Sequence, residues 1–277
     1  MNEFRKRQKR LYNLMKISSI FGAVFLFVYI GIQPYVAQYS QLAATICSYA
    51  CDIIVIAVLF ILFFYYSKYG KADSFLTSVE NEINDAGYYL TSREEKSIDD
   101  YSAAMMDDLE KCGYSINKNI EIYDFDFYVK ASKNNEHFYI ANVNNLDKND
   151  VLAYLESVIN DITISSLKRK GNVVLCFVTD NAGEDAISLS KMLTPLGKQE
   201  KIKIALSICE TETGRIYFLG NVQTKCQQMI ANFAMNCDVP IKEQYIAREK
   251  LKFQYDIEEK MKSFNISDFK SGKFYVH

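Results

Sequence analysis

The sequence predicts an α/β protein: a two-helix transmembrane hairpin, then a three-layer α/β domain with a mixed sheet. Three observations carry this expectation. Residues 17–66 hold one formal charge, Asp52, in two apolar stretches that each exceed the ~20 residues needed to cross a ~30 Å hydrocarbon core. Six basic side chains against one acid, Glu3, crowd the first sixteen residues. Beyond Ser67 the chain alternates apolar runs of strand period with amphipathic runs of helix period.

The first apolar segment runs from Ile17 to about Gln38 and the second from about Ala43 to Tyr66. Both are expected to be helices, because lipid offers no partner to an unpaired backbone group. A basic start before an apolar stretch also fits a cleaved signal peptide. Against that reading, the apolar core is long, no small-x-small cleavage site follows, and a second span comes directly after. The basic residues 1–16 and the pair Lys68 and Lys71 flank the two spans, so both termini are expected on the cytoplasmic side of the cell membrane. Asp52 is the odd residue of the hairpin, since an ionisable group within a span is costly and often functional. Thr45 and Ser48 fall on its helical face, so a polar packing stripe is expected to satisfy it. With no second charge in the spans, an anchor is expected rather than a transport path.

From Ser67 to His277 there are 26 Lys and Arg against 32 Asp and Glu. That acidic balance argues against a generally basic nucleic-acid binder. Of the seven cysteines, Cys176 and Cys209 lie in apolar runs, no pair has C-x-x-C spacing, and the histidines are only His137 and His277. Cys176 and Cys209 are therefore expected to be buried, and reduced thiols in a cytoplasmic domain are expected rather than disulfides or a zinc site.

Residues 67–91 read as a juxtamembrane helix and linker, with a short amphipathic helix at Ser74–Asn84 broken by Gly87. Residues 92–240 read as the α/β domain. A capping box, Ser92 with Glu95, predicts a helix to Lys111. One alternating strand is predicted over Ile120–Ala131, a hairpin turn at Lys133–Glu136, and a second strand at Phe138–Val143. Asp147 is expected to cap a long helix to about Lys170, ending in the basic run Lys168, Arg169, Lys170. The apolar run Val173–Val178 reads as a central strand buried on both faces. A helix over Glu184–Leu196, strands at Ile202–Cys209 and Ile216–Leu219, and a helix over Gln223–Asn236 complete the domain. Residues 241–277 form a charged, helix-prone tail, expected to pack on the domain or to offer a short partner-binding helix.

This succession resembles the PD-(D/E)xK nuclease fold, in particular Mrr-type restriction endonuclease domains. The resemblance rests on Leu109-Glu110-Lys111-Cys112-Gly113-Tyr114 closing a helix, Asp126 in the strand that follows, a hairpin, and Phe177-Val178-Thr179 ending the apolar strand. It implies a restriction endonuclease-like domain. The family's chemistry needs two acids to hold a divalent metal and a Lys to activate water. Asp126 falls where the first acid belongs, but Ala141 and Val143 occupy the positions of the second acid and the Lys. Asp124, two residues from Asp126, and Glu136 in the hairpin could supply a substitute acidic site. Lys168, Arg169 and Lys170 complement a helix C-terminus and, in such a fold, could also face phosphate. No phosphate-cradling glycine loop is present.

The expectation is thus a membrane-anchored cytoplasmic interaction domain of nuclease-like fold, without catalysis and without a cofactor. Its partners would be the bilayer, a protein or nucleic acid on the cytoplasmic side, and further copies of itself. One competing reading is a tethered, Mg-dependent nuclease with a rearranged site at Asp126. Another is an oligomeric signalling or channel-like component built on the hairpin.

Overall fold

A computed structural model describes residues 3–85, 87–94, 97–165, 171–196, 202–241, 246–247 and 249–274. The chain divides into two compact units, Met1–Val79 with Ile257–His277, and Glu80–Asp256.

In the first unit, α1 (Glu3–Tyr39) and α2 (Gln41–Asn84) are both long and apolar enough to cross a membrane. They are joined by Ser40 alone, whose hydroxyl accepts from Ala43 N at 3.3 Å. Their apolar side chains point outward: Phe27 is 75% and Phe63 74% exposed. The helices approach closely at Gly22, where a Cβ would lie 3.0 Å from a Val58 methyl. The helix expected at Ser74–Asn84 is not separate, because α2 runs through without a break. Only Gly70 intervenes, and one glycine costs a helix about 1 kcal/mol, too little to end it. On that extension Asp73 and Thr77 accept from the nearly buried Arg5 of α1 at 2.6 and 3.0 Å. The C-terminal tail divides between the two units. From Ile257 onward it belongs to the hairpin unit, where Phe75 meets Phe264, Phe269 and Phe274 with ring centroids 6.2, 4.9 and 6.2 Å away.

In the second unit, nine strands among the described residues join one mixed sheet in the order β2-β3-β4-β5-β7-β8-β1-β9, with β6 also paired to β7. The strands are β1 (Tyr88–Leu90), β2 (Ser115–Ile122), β3 (Phe125–Lys133), β4 (Glu136–Asn142), β5 (Gly171–Thr179), β6 (Leu193–Leu196), β7 (Ile202–Glu210), β8 (Arg215–Tyr217) and β9 (Ile246–Ala247). β2, β3 and β4 form an antiparallel meander, and β4, β5 and β7 run parallel. The side chains of β5 alternate between two cores, as a doubly covered strand requires. Val174, Cys176 and Val178 face α3 (Ile98–Lys111) and α6 (Lys225–Met229, continued by a π-helical turn at Ile230–Ala234). Val173, Leu175 and Phe177 face α4 (Lys148–Ser165) and α5 (Glu184–Ser190). All seven cysteines are free thiols, and Cys176 and Cys209 are fully buried with sulfurs 3.6 Å apart.

Several predicted boundaries move. The strand expected over Ile120–Ala131 is two strands, because Tyr123 and Asp124 take φ of 49° and 67° and turn the chain back, pairing Ile122 with Phe125. Two successive positive φ values give a hairpin turn whose twist matches its strands. Helix α3 begins at Ile98 under Ser97, whose hydroxyl accepts from Asp100 N at 3.0 Å, not under Ser92. The expected capping partner Glu95 lies outside the described residues. The helix predicted to Leu196 stops at Ser190, and Leu193–Leu196 pairs with β7 instead. Pro195 explains this, since it biases the residue before it away from helix. Asp147 does cap α4, accepting from Asp150 N at 2.9 Å.

Candidate functional site

The three acids of the nuclease comparison do not come together. Asp124 sits in the β2–β3 turn rather than on a strand face shared with Asp126. Asp126 is exposed at the start of β3, and its carbonyl accepts from the Tyr154 hydroxyl at 3.2 Å. Glu136 pairs with Lys133 at the other end of β3, so it is on the order of 20 Å from Asp126 at ~3.3 Å per residue. There Glu136 accepts a hydrogen bond from the Tyr114 hydroxyl and an ion pair from Lys225 at 3.3 Å. Burial and that neighbouring carboxylate push the Tyr114 hydroxyl well above its ordinary range. Glu136 is thus held in a structural network. Ala141 is fully buried, and the half-buried Val143 packs against the core on that face of the sheet. Among the described residues, no group of three or more His, Cys, Asp and Glu side chains could hold a metal ion.

The sheet face under α4 carries a polar group that sequence reasoning passed over. Asp161 of α4 accepts from Lys130 Nζ at 2.7 Å and from the Tyr139 hydroxyl at 2.5 Å. Burial raises the Tyr139 hydroxyl strongly, with the Asp161 carboxylate adding to it. Lys168, Arg169 and Lys170 lie outside the described residues. In the hairpin, the expected polar stripe faces away from α1. Asp52 and Thr45 are exposed, Ser48 is half-buried, and Thr45 donates to the Gln41 carbonyl at 3.0 Å. The buried side chain at this level of α2 is Cys51, which turns Asp52 outward.

The most elaborate polar arrangement lies at the other edge of the sheet, around β8, β1 and α6. Lys191 and Asp85 are both fully buried, with Nζ 2.6 Å from Oδ1. Lys191 also donates to the Phe218 carbonyl at 3.0 Å. Asp85 Oδ2 accepts from the Tyr89 hydroxyl at 2.9 Å and from the backbone N–H groups of Gly220 and Asn221 at 2.7 and 3.0 Å. Burial lowers the Lys191 ammonium below its ordinary range, and the Asp85 charge works against that shift. Gly220 must be glycine here, because a Cβ would lie 2.2 Å from the Tyr89 ring. Gln254, fully buried at the start of α7 (Lys252–Lys262), ties the segment down through Nε2 to the Glu82 and Asp85 carbonyls at 2.9 and 3.0 Å.

Above this pair opens a cavity of about 450 Å³. Carboxamides dominate its polar lining, with Asn84, Asn221, Gln223, Gln227 and Gln228 all contributing. Val222, Val239, Pro240 and Ile241 form an apolar wall, and Lys250 completes the lining. Thr224 donates its hydroxyl to Gln227 Oε1, which leaves the buried Nε2 of Gln227 with no hydrogen-bond partner. No sequence motif announced this cleft, because its residues come from distant points of the chain and each is an ordinary type. Comparison of the chain with protein-family models, with curated proteins and with solved structures finds no match in any of the three.

Proposed function

We propose that the chain is a membrane-anchored interaction module, with an α/β domain of restriction endonuclease-like ancestry that has no nuclease chemistry. The order α3-β2-β3-β4-α4-β5, with a meander leading into parallel β4 and β5, supports the ancestry. The observation that carries the absence of chemistry is the setting of Asp126, where the two companion positions hold the buried Ala141 and the half-buried Val143. Neither side chain can ligate a metal or carry a proton. Membrane anchoring is supported by the exposed apolar faces of α1 and α2, which would form an unusually large apolar surface in water. The basic N-terminus favours the cytoplasmic side for both ends. The test is incubation of the full chain, in detergent, with DNA and RNA plus Mg²⁺ or Mn²⁺. No metal-dependent cleavage is expected; cleavage that disappears in Asp126→Ala would establish the tethered nuclease instead.

One observation favours a second component of this reading, self-association of the hairpin. Asp52 is exposed on a helix proposed to lie in lipid, whereas intramembrane carboxylates nearly always face a protein interior or a water-filled cavity. A second hairpin covering Thr45, Ser48 and Asp52 would remove the carboxylate from lipid. Cross-linking in membranes should then yield oligomers that Asp52→Leu diminishes. Equal cross-linking of wild type and variant would remove self-association through this face.

A further inference from the structure

We propose that the carboxamide-lined cleft above the Lys191–Asp85 pair binds a mononucleotide-sized ligand, recognised through its nucleobase. This inference rests on the reading of the domain as a binding module, and it names a ligand class for it. Its volume, about 450 Å³, lies within the ~300–1,000 Å³ of small-molecule sites. The charges at its base are spent. Asp85 gives one oxygen to Lys191 and the other to Tyr89, Gly220 and Asn221, so neither a cation nor a metal finds a ligand there. What remains for recognition is amide chemistry. A carboxamide offers a donor and an acceptor side by side, the arrangement that reads the edge of a base.

Gln227 supplies the sharpest indication. It is 4% exposed, lines the cleft, and has a donor without a partner. A desolvated, unpaired N–H₂ costs stability; its Nε2 is closed off from solvent, so a turn of the side chain toward the cleft would let it meet a ligand acceptor such as a ring nitrogen or exocyclic carbonyl and recover that loss. The apolar wall of Val222, Val239, Pro240 and Ile241 suits the face of a flat ring, whereas hydroxyl-covered sugars would leave it unused. An extended peptide is disfavoured because the nearby strand β1 is already paired on both sides, by β8 and β9. Lys250 is the lining residue of a sign to meet one phosphate.

The test is calorimetric titration of the full chain in detergent with the four common nucleoside 5′-monophosphates, their nucleosides, and short single-stranded oligonucleotides. Saturable binding of at least one base type is expected. Gln227→Leu should weaken it about tenfold or more, the loss expected for an unmade buried hydrogen bond. Gln223→Ala, at an exposed position that does not threaten folding, should weaken it several-fold. Lys250→Met should reduce nucleotide but not nucleoside affinity. Oligonucleotide binding with the same dependence on Gln227 would keep the base as the recognised group and assign it to a strand. The proposal is overturned if no nucleoside, nucleotide or oligonucleotide binds saturably, or if binding is unchanged in both Gln227→Leu and Gln223→Ala. Binding and cleavage are separate readouts, so failure here leaves the non-catalytic reading standing, and cleavage dependent on Asp126 leaves the cleft standing.

Discussion

The fully buried Lys191–Asp85 pair illustrates how unequal the two halves of an ion pair can be. Taking both charges out of water costs several kcal/mol per ion, and only good geometry with further hydrogen bonds offsets that cost. Asp85 has those bonds in full, with three donors besides Lys191, while among the described residues Lys191 has one further acceptor, the Phe218 carbonyl, and the face of the Tyr89 ring. Removing the acid therefore strands an ammonium, and removing the ammonium leaves a carboxylate still held by three N–H or O–H groups. Asp85→Ala is expected to cost on the order of 3–5 kcal/mol, and Lys191→Met clearly less. Urea midpoints of the two variants check the order, and a larger loss in Lys191→Met would refute this account. Gly220→Ala belongs with them, because its methyl would have to displace the Tyr89 ring that braces Asp85. Overpacking of this kind costs typically 1–3 kcal/mol, and nucleotide binding in the cleft should fall along with stability.

At the scale of elements, helix α3 gives a direct comparison of two serines. Ser97 carries the cap, so Ser97→Ala should lower stability by about 1 kcal/mol, and Ser92→Ala should have little effect on the helix. Denaturant midpoints of the two variants decide it, and the reverse order would restore the boundary drawn from sequence. Both sites look alike in one dimension, since each serine precedes an acid three residues later. What separates them is where the chain before α3 is tied: Ser92 N donates to the Met235 carbonyl, and Arg93 to the Phe233 carbonyl and Asp108. The long-period features were legible: two apolar spans, the apolar β5, and the helices α3, α4 and α6 with the longer strands between them; the short strands β1, β6 and β9 were not. Features decided by one or two residues were not, such as the turn at Tyr123–Asp124, where alternation continues on either side of the reversal. The candidate site divides in the same way. The vacancy beside Asp126 could be read from Ala141 and Val143, but the separation of Glu136 needed the β3–β4 register. The cleft needed the fold, because Asp85, Lys191, Gly220 and Gln227 meet only when β8 lies against both β1 and β7.

The distribution of buried phenols across the α/β unit sets how the whole domain responds to alkali. Burial raises the hydroxyls of Tyr89, Tyr101, Tyr114, Tyr139, Tyr154 and Tyr217 above the ordinary 10.0, and Tyr217 is pushed up to about 12 with the Glu210 carboxylate contributing. Between pH 10 and those raised values the unfolded chain has lost protons that the folded chain keeps. Folding stability contributed by these groups is therefore complete below pH 10 and is lost as pH rises through the folded values. Lys191 acts in the opposite sense. Its folded value lies below 10.5, so its unfavourable contribution at neutral pH is relieved as pH rises towards 10.5. Six phenols against one ammonium decide the net direction, and stability should fall steeply above pH 10. Circular dichroism and tyrosinate absorbance, followed together on the full chain in detergent, should show the buried tyrosines ionising with loss of structure. If they all ionise near pH 10 while the domain stays folded, the burial of these rings is refuted. Tyr139→Phe provides the internal control: it removes one raised phenol and its bond to Asp161. The variant should start less stable at neutral pH by about 1 kcal/mol, yet lose stability less steeply above pH 10.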